Sequence, residues 1–250
     1  MIHDSIRWSA HVATDDPSAS LPDALWALEA ADPRPDSVIV IDNAPTGRDR
    51  PEGLWSNVRW LRNPRPQTHG RCHNQGVELA LHASRDAGSV ASETIALLMT
   101  PDVMIGTDTL TRLRKLFETD PHIAVVGPVV CRAHVTGSPD EERREFERSD
   151  IVDSAGVSLG WFGGAKPLGR GLTQADLSRA RAPLGPSPSC FAIRLSALSV
   201  LSRRGPWFRE TGSWEAAAIG LFRGIKTIGC SLVVAKDATV WRLASRDGVR

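Results

Sequence analysis

The sequence predicts an α/β protein with a central, mainly parallel sheet and helices on both faces. Three observations support this. Short β-branched runs alternate with segments in which apolar residues recur at helical spacing. The run SVIVI at 37–41 has no polar alternation, which is typical of a strand buried on both faces. Two such runs end in an acid and turn-forming residues, as strands do beside a ligand crevice.

The first half of the chain follows the strand–helix order closely. The apolar runs predict strands at 6–13, 37–41, 58–61, 94–99 and 123–130. Helices are predicted around 21–28, where Pro33 and Pro35 follow the helix, and then at 70–87 and 110–117.

The second half is less regular. The charge-dense segment 137–150 predicts a solvated surface insertion with room for a short helix. Apolar residues at helical spacing predict helices at 195–201 and 214–222. A strand pair at 227–235 and 238–241 is expected to end the fold.

Composition excludes some functions. The 250 residues suffice for one large domain, and the net charge of +1 argues against a binder that depends on bulk attraction to nucleic acid. No apolar run approaches the ~20 residues of a membrane helix, and the N-terminus lacks a signal-peptide core, so we expect a cytoplasmic location with peripheral membrane association left open. The four cysteines lack metal-site spacing and are expected to be buried, unpaired side chains.

Two predicted strand ends carry acids: Asp42, followed by Asn43, in VIDNAPTG, and Asp102 in LLMTPDV. Ligands of open α/β sheets bind beyond the carboxyl ends of the strands. Either acid alone is a weak signal, because aspartate is also a good turn and cap residue. The loop and helix HGRCHNQGVELAL between them make the pair more informative.

The order of IDNAPTG, RNPRPQTHGRCHNQGVELAL, LLMTPDV, VVGPVV and VDSAGVSL resembles the family 2 glycosyltransferases, which are inverting enzymes of the GT-A fold, and among them the rhamnosyltransferases. The resemblance covers about 38–242 and is closest in the N-terminal half. It implies one GT-A domain over 1–250, with a nucleotide-binding half at about 1–130 and an acceptor-side half at about 131–250. It also implies hexosyl transfer in polysaccharide biosynthesis.

On the donor side, the resemblance gives each motif residue a role. Asp42, with Asn43, matches the acid that contacts the base or ribose, and Asn74 and Gly76 match an NxG motif that lines the nucleotide pocket. Helix capping and close packing are the alternative for those two. Asp102 matches the acid that holds a divalent cation, Mg²⁺ or Mn²⁺, on the sugar diphosphate. A UDP- or dTDP-sugar donor and a saccharide or lipid-linked acceptor are implied.

The acceptor side departs from the family pattern. In FRETGSWEAAA, Arg209 replaces the middle aspartate of the family's FDE motif, and alanines at 216–218 replace carboxylates of the following helix. Glu215 and, as a second choice, Glu210 remain as candidates for the general base. Glu215 fits equally well as a first-turn glutamate that interacts with the helix dipole, behind Ser213 as N-cap.

The late family histidine, often a metal ligand, corresponds to Arg242 in VWRLAS. A guanidinium cannot ligate a cation, but it can pair with a diphosphate. The hypothesis that follows is that Arg242 partly replaces the metal. A plain surface arginine is the alternative.

Two functions of different classes stay open. One is an active inverting glycosyltransferase, and the other is a degenerate GT-A domain that binds a nucleotide sugar or a partner without turnover. The departures at Arg209, 216–218 and Arg242 favour the second. The surroundings of Glu215 discriminate between them. A nucleotidyltransferase is less compatible with the sequence, since TDDP after the first strand lacks the expected glycine-rich basic loop.

Overall fold

The computed structural model describes residues 6–17, 20–45, 55–86, 94–136, 145–160, 164–179, 183–201 and 206–243. The strands within these ranges are β1 (Arg7–Thr14), β2 (Ser37–Asp42), β3 (Val58–Arg62), β4 (Thr94–Met99), β5 (Val103–Ile105), β6 (Ile123–Val135), β7 (Phe146–Ser154), β8 (Val157–Leu159), β9 (Ala165–Pro167), β10 (Cys190–Arg194) and β11 (Ser231–Leu243). The helices are α1 (Leu21–Glu29), α2 (His69–Asp86), α3 (Thr109–Thr119), α4 (Leu195–Leu201), α5 (Trp214–Thr227) and a 3-10 helix (Gln174–Arg179).

The large sheet has the strand order β3-β2-β1-β4-β10-β6-β11-β5, with β7 added beside β6. Strands β3, β2, β1 and β4 are parallel, and so are β6 and β11, whereas β10 runs antiparallel between β4 and β6. Because β1 pairs with β2 on one side and β4 on the other, the two acid-bearing strand ends lie on either side of Thr14. The predicted α/β architecture is confirmed, with a mixed sheet.

Helices cover both faces of the sheet, as predicted. Alternate residues of β4 separate the two cores: Leu97 faces the core that contains α1 and α3, whereas Leu98 faces the core that contains α2, α4 and α5. Both side chains are fully buried. The uniformly apolar β2 and β4 follow directly from this two-sided burial.

The predicted strand pair at the C-terminus is wrong, because 231–243 is one strand, β11, that pairs in parallel with β6. A register shift after Ala235 leaves Lys236 and Asp237 exposed, which gives the sequence its apparent break. The short helix allowed within 137–150 is also wrong over its described part. Residues 137–144 lie outside the described ranges. From Phe146 the chain forms β7, which pairs antiparallel with β6. Strand β6 is longer than predicted, and β7 pairs with its C-terminal part.

The cysteines and the helices bear on two expectations from composition, unpaired buried thiols and the lack of a membrane helix. All four cysteines are unpaired, and Cys72, Cys131 and Cys190 are buried as expected, whereas Cys230 is half-buried. Over the described ranges, no helix is long and apolar enough to cross a membrane.

A buried histidine supports the contact between the sheet and α2. His11 on β1 is fully buried, and its Nε2 lies 3.0 Å from Ser9 Oγ, whereas Nδ1 has no hydrogen-bond partner in the described protein. Helix α2 passes directly over the ring, since a Cβ at Gly76 would lie 3.0 Å from that Nδ1. Burial lowers the pKa of His11 to about 3, and it also lowers the pKa of the buried His73 well below its ordinary value.

We therefore expect the protein to lose stability as the pH falls below the ordinary pKa of histidine, which is about 6.5. Because the folded-state pKa of His11 is lowered, the unfolded chain binds the extra proton, and stability present above pH ~6.5 is lost as pH falls toward the folded pKa. Between pH ~7.5 and pH ~5, His11 alone should cost about 2 kcal/mol in the free energy of unfolding. Urea unfolding at both pH values measures it.

The matched variants are His11→Asn and, on the exposed surface of α2, His82→Asn. The first should reduce the difference between the two pH values by about 2 kcal/mol, and the second should leave it unchanged. Equal pH dependence in wild type and His11→Asn would show that His11 is protonated in the folded protein.

Candidate functional site

Asn43, directly after β2, joins two loops at the carboxyl edge of the sheet. Its Nδ2 donates to Asp15 Oδ1 at 2.6 Å and to the carbonyl oxygen of Gln67 at 2.9 Å. Its Oδ1 accepts from the backbone N–H of Gln67 at 2.7 Å and from Asn63 Nδ2 at 3.1 Å. The Asn43 side chain thus fixes the segment after β1 against the segment that enters α2, and these contacts define a positioning role.

Asp42, the last residue of β2, is fully buried but only half satisfied. Its Oδ1 accepts from the backbone N–H of Ala44 at 3.0 Å, whereas Oδ2 has no hydrogen-bond partner among the described residues. A buried carboxylate oxygen without a donor is costly, and such an atom in a folded protein requires an explanation. An N–H or O–H group of a ligand at the strand end would provide the missing donor.

Asn74 on α2 holds the loop that leads to α5. Its Oδ1 accepts from the backbone N–H of Phe208 at 2.9 Å, and its Nδ2 donates to the carbonyl oxygen of Phe208 at 2.9 Å and to Glu210 Oε1 at 3.0 Å. Gly76, two residues further on, packs against His11 and Ile41. The contacts of both residues match the packing alternative that the sequence left open.

Asn74→Ala should therefore lower the free energy of unfolding by about 2–4 kcal/mol, because two backbone groups of the buried Phe208 lose their partner. Asn57→Ala is the matched control, since within the described ranges Asn57 Nδ2 makes one hydrogen bond, to the carbonyl oxygen of Pro35. It should cost about 1 kcal/mol. Equal losses in urea unfolding would contradict the role of Asn74.

Four side chains of alternating charge lie beyond the end of β4, and we call them the charge ladder. Asp102 Oδ2 accepts from Arg242 Nε at 2.7 Å, Arg242 Nη1 lies 3.4 Å from Asp153 Oδ2, and Arg170 Nη2 lies 3.3 Å from Asp153 Oδ1. The other Asp102 oxygen accepts from Thr100 Oγ1. Burial alone would lower the pKa of Arg242, but Asp102 and Asp153 outweigh it and hold that pKa above its ordinary value.

The charge ladder does not fit the divalent cation that the family resemblance implies at Asp102. Both carboxylate oxygens of Asp102 already accept hydrogen bonds, and a guanidinium lies between Asp102 and Asp153. No group of three or more potential metal ligands occurs among the described residues. A divalent cation needs several free oxygen ligands, and this arrangement does not supply them.

The two candidate bases differ in their surroundings. Both carboxylate oxygens of Glu210 have partners: Oε1 accepts a hydrogen bond from Asn74 Nδ2, and Oε2 forms an ion pair with Arg71 Nη1 at 3.7 Å. Glu215 is exposed in the first turn of α5 and makes no ion pair or side-chain hydrogen bond within the described chain. The predicted N-cap is confirmed, since Ser213 Oγ accepts from the backbone N–H of Ala216 at 3.2 Å.

The start of α5 borders the same edge of the sheet as Asp102. Trp214 Nε1 donates to the carbonyl oxygen of Pro188 at 2.9 Å. The carbonyl oxygen of Ser189, which follows Pro188, accepts from the backbone N–H of Thr100 at 2.9 Å. Because Thr100 also bonds Asp102, two short loops connect the charge ladder with the helix that carries Glu215.

Several residues of this edge carried no predicted role. Asp15, after β1, accepts from Asn43 and lies 3.0 Å from His69 Nε2. Asp153 and Arg170 complete the charge ladder. Asp15 and Asp153 had a signal in the sequence, since one follows the first strand and the other lies in the quoted VDSAG segment. Arg170 had none.

A cavity of about 190 Å³ lies at the opposite edge of the sheet, where β1, β2 and β4 begin. Its lining includes Arg7, Asp36 and Thr94. Ligands of open α/β sheets bind at the carboxyl ends of the strands, so this cavity is separate from the site described above.

No protein-family model and no curated protein matches the sequence. Solved structures do match. GalNAc-T7 with UDP, GalNAc and Mn²⁺ is 12% identical at a TM-score of 0.66, over 97% of this chain and 44% of that one. TarS from S. aureus in complex with UDP is 14% identical at 0.54, over 96% and 61%. The mannosyltransferase PcManGT from Pyrobaculum calidifontis with GDP-Man and Mn²⁺ is 14% identical at 0.58, over 97% and 58%.

These likenesses establish the fold. The chain has the GT-A fold of nucleotide-sugar transferases, as the sequence motifs predicted. It spans between 44% and 61% of the length of these neighbours.

Proposed function

We propose that the protein is a glycosyltransferase that moves a sugar from a nucleotide-diphospho-sugar to an acceptor hydroxyl with inversion. The observation that carries the proposal is the buried Oδ2 of Asp42 at the carboxyl edge of a GT-A sheet, which has no hydrogen-bond partner among the described residues. Structural neighbours contain UDP and GDP-Man, which fits a nucleotide-sugar donor.

The donor is proposed to lie across the carboxyl ends of β1, β2 and β4. Asp42 accepts a hydrogen bond from the base or the ribose and thereby satisfies its free oxygen. Asn43 and Asn74 keep the surrounding loops in place. Arg242, at the other end of this edge, pairs with the diphosphate and stabilises the negative charge that develops on the leaving nucleoside diphosphate.

On the acceptor side, Glu215 is the proposed general base, because of the two candidate carboxylates it is the one without a side-chain partner in the described part of the chain. The acceptor oxygen attacks the anomeric carbon while the bond from that carbon to the diphosphate oxygen breaks, and the hydroxyl proton passes to Glu215. A single in-line displacement of this kind inverts the anomeric centre. Glu210, held by Asn74 and Arg71, is a positioning residue.

The finer assignments belong to the same proposal. They are family 2 membership, a hexosyl group such as rhamnose, a UDP- or dTDP-sugar donor, a saccharide or lipid-linked acceptor in polysaccharide biosynthesis, and a cytoplasmic location. The division into a nucleotide-binding half at about 1–130 and an acceptor-side half at about 131–250 belongs to the same proposal.

The second candidate function is binding without turnover. It is favoured by one observation, the exposed Ala216 beside Glu215, where the family pattern has a carboxylate. A degenerate domain of this kind would keep Asp42 and Arg242 for a nucleotide sugar and would have lost the base.

A panel of UDP-, dTDP- and GDP-sugars tests the proposal, with thermal shift for binding and release of free nucleoside diphosphate for turnover. We expect one nucleotide to raise the melting temperature and its sugar to be hydrolysed slowly without an acceptor. A shift without release would favour the binding-only domain. No shift with any nucleotide would contradict the transferase and the binding of a nucleotide sugar, and would leave only the binding of a partner.

A further inference from the structure

We infer that the charge ladder takes the place of a divalent cation, so that nucleoside diphosphate binding at this site does not require a metal. The inference rests on the proposed function, and it adds Asp153 and Arg170 as positioning residues for Arg242. The role of Asp102 also changes: it fixes a guanidinium instead of holding a cation.

The two positive and two negative side chains of the charge ladder sum to zero, as two carboxylates and one divalent cation would. Two carboxylates that hold one divalent cation are neutralised by two positive charges, and in this protein the guanidinium groups of Arg242 and Arg170 neutralise Asp102 and Asp153. A divalent cation that approached Asp102 would meet Arg242 at 2.7 Å from the carboxylate, and like charges repel.

The position of Arg242 is fixed by the backbone as well as by its side chain. Arg242 on β11 pairs with Val103 on β5, and the backbone N–H of Leu243 donates to the carbonyl oxygen of Asp102 at 2.8 Å. Arg242 is therefore held beside the loop after β4, where the structure fixes its Nε on Asp102 and its Nη1 near Asp153.

The guanidinium of Arg242 has N–H groups that are not used within the described residues and that a ligand could accept from. Its contacts with Asp102 and Asp153 use Nε and Nη1, and Nη2 makes no hydrogen bond within the described residues. The side chain as a whole is 40% exposed, so it is only partly covered by the protein. A planar donor group with free N–H bonds suits phosphate oxygens, which guanidinium groups bind in a fork.

The first experiment needs no nucleotide and measures Mn²⁺ binding by calorimetry. Wild type should bind Mn²⁺ more weakly than about 1 mM, because Asp102 and Asp153 are already paired. Arg242→Ala frees one oxygen of each carboxylate, Oδ2 of Asp102 and Oδ2 of Asp153, and should tighten Mn²⁺ binding by about tenfold or more. Arg242→Ala with Asp102→Asn should lose that gain. Micromolar Mn²⁺ binding by wild type would overturn the inference.

The second experiment measures the affinity for UDP, dTDP and GDP with EDTA and with Mn²⁺. Wild-type affinity should be the same within about twofold, whereas Arg242→Ala should lose about 10- to 100-fold in EDTA. Arg112→Ala is the control, because Arg112 on α3 forms an exposed ion pair with Asp108, which precedes that helix. A nucleotide that binds only with Mn²⁺ would overturn the inference, whereas absent nucleotide binding under all conditions would contradict the proposed function alone.

Discussion

Glu215→Gln is expected to lower kcat by about 10²- to 10⁴-fold and to leave donor affinity unchanged. Glutamine keeps the size of the side chain but cannot take the proton of the acceptor hydroxyl. Glu215 is exposed in the first turn of α5 and has no side-chain partner in the described structure, so its loss should not disturb the fold. Transfer rates with saturating donor and a calorimetric measurement of donor binding give the two quantities.

Glu210→Gln is the matched control, because it removes the other candidate carboxylate from the same loop and helix region. Glu210 bonds Asn74 and lies near Arg71, so its replacement should lower the melting temperature and reduce kcat by less than about tenfold. A large kcat loss in Glu210→Gln with full activity in Glu215→Gln would exchange the two roles. Full activity in both would show that neither is the base.

The sequence predicted the N-terminal half of the fold well because its strands are buried on both faces and leave a strong apolar signal. Strand β4 begins and ends where the pattern placed it, and α2 differs from the predicted 70–87 by one residue at each end. The signal is weaker where a strand is short or one-sided. Strand β10 has five residues between a Pro-rich segment and the Leu-rich α4 and was not predicted, although it lies in the centre of the sheet.

The sequence alone could predict only those residues of the candidate site that directly follow a strand. Asp42 and Asp102 follow apolar runs, so a sequence pattern finds them, and the topology places them at one edge. Their partners cannot be found in this way. Arg242 meets Asp102 across 140 residues, and Asn74 meets Phe208 across 134, through contacts that only the folded chain creates.

Asp42→Asn is expected to make the free protein more stable and its nucleotide binding weaker. The amide oxygen can keep the hydrogen bond from Ala44, and an uncharged NH2 group then replaces the buried carboxylate oxygen that has no partner among the residues the structure describes. We expect the free energy of unfolding to rise by about 1 kcal/mol. Nucleotide affinity should fall by about 100-fold, because an N–H group of the variant would then face the donor of the ligand.

The combination of the two changes is what identifies Asp42 as a ligand contact, since a merely structural acid would lose stability on the same replacement. Asp108→Asn, which removes an exposed charge before α3, is the control for net charge: it should leave nucleotide affinity unchanged, and it should not raise stability, because it loses the ion pair with Arg112. Thermal melts without ligand and calorimetry with the nucleotide found in the binding panel give the two results. A lower melting temperature for Asp42→Asn would mean that Oδ2 already has a partner in the protein, and unchanged affinity would place the nucleotide elsewhere.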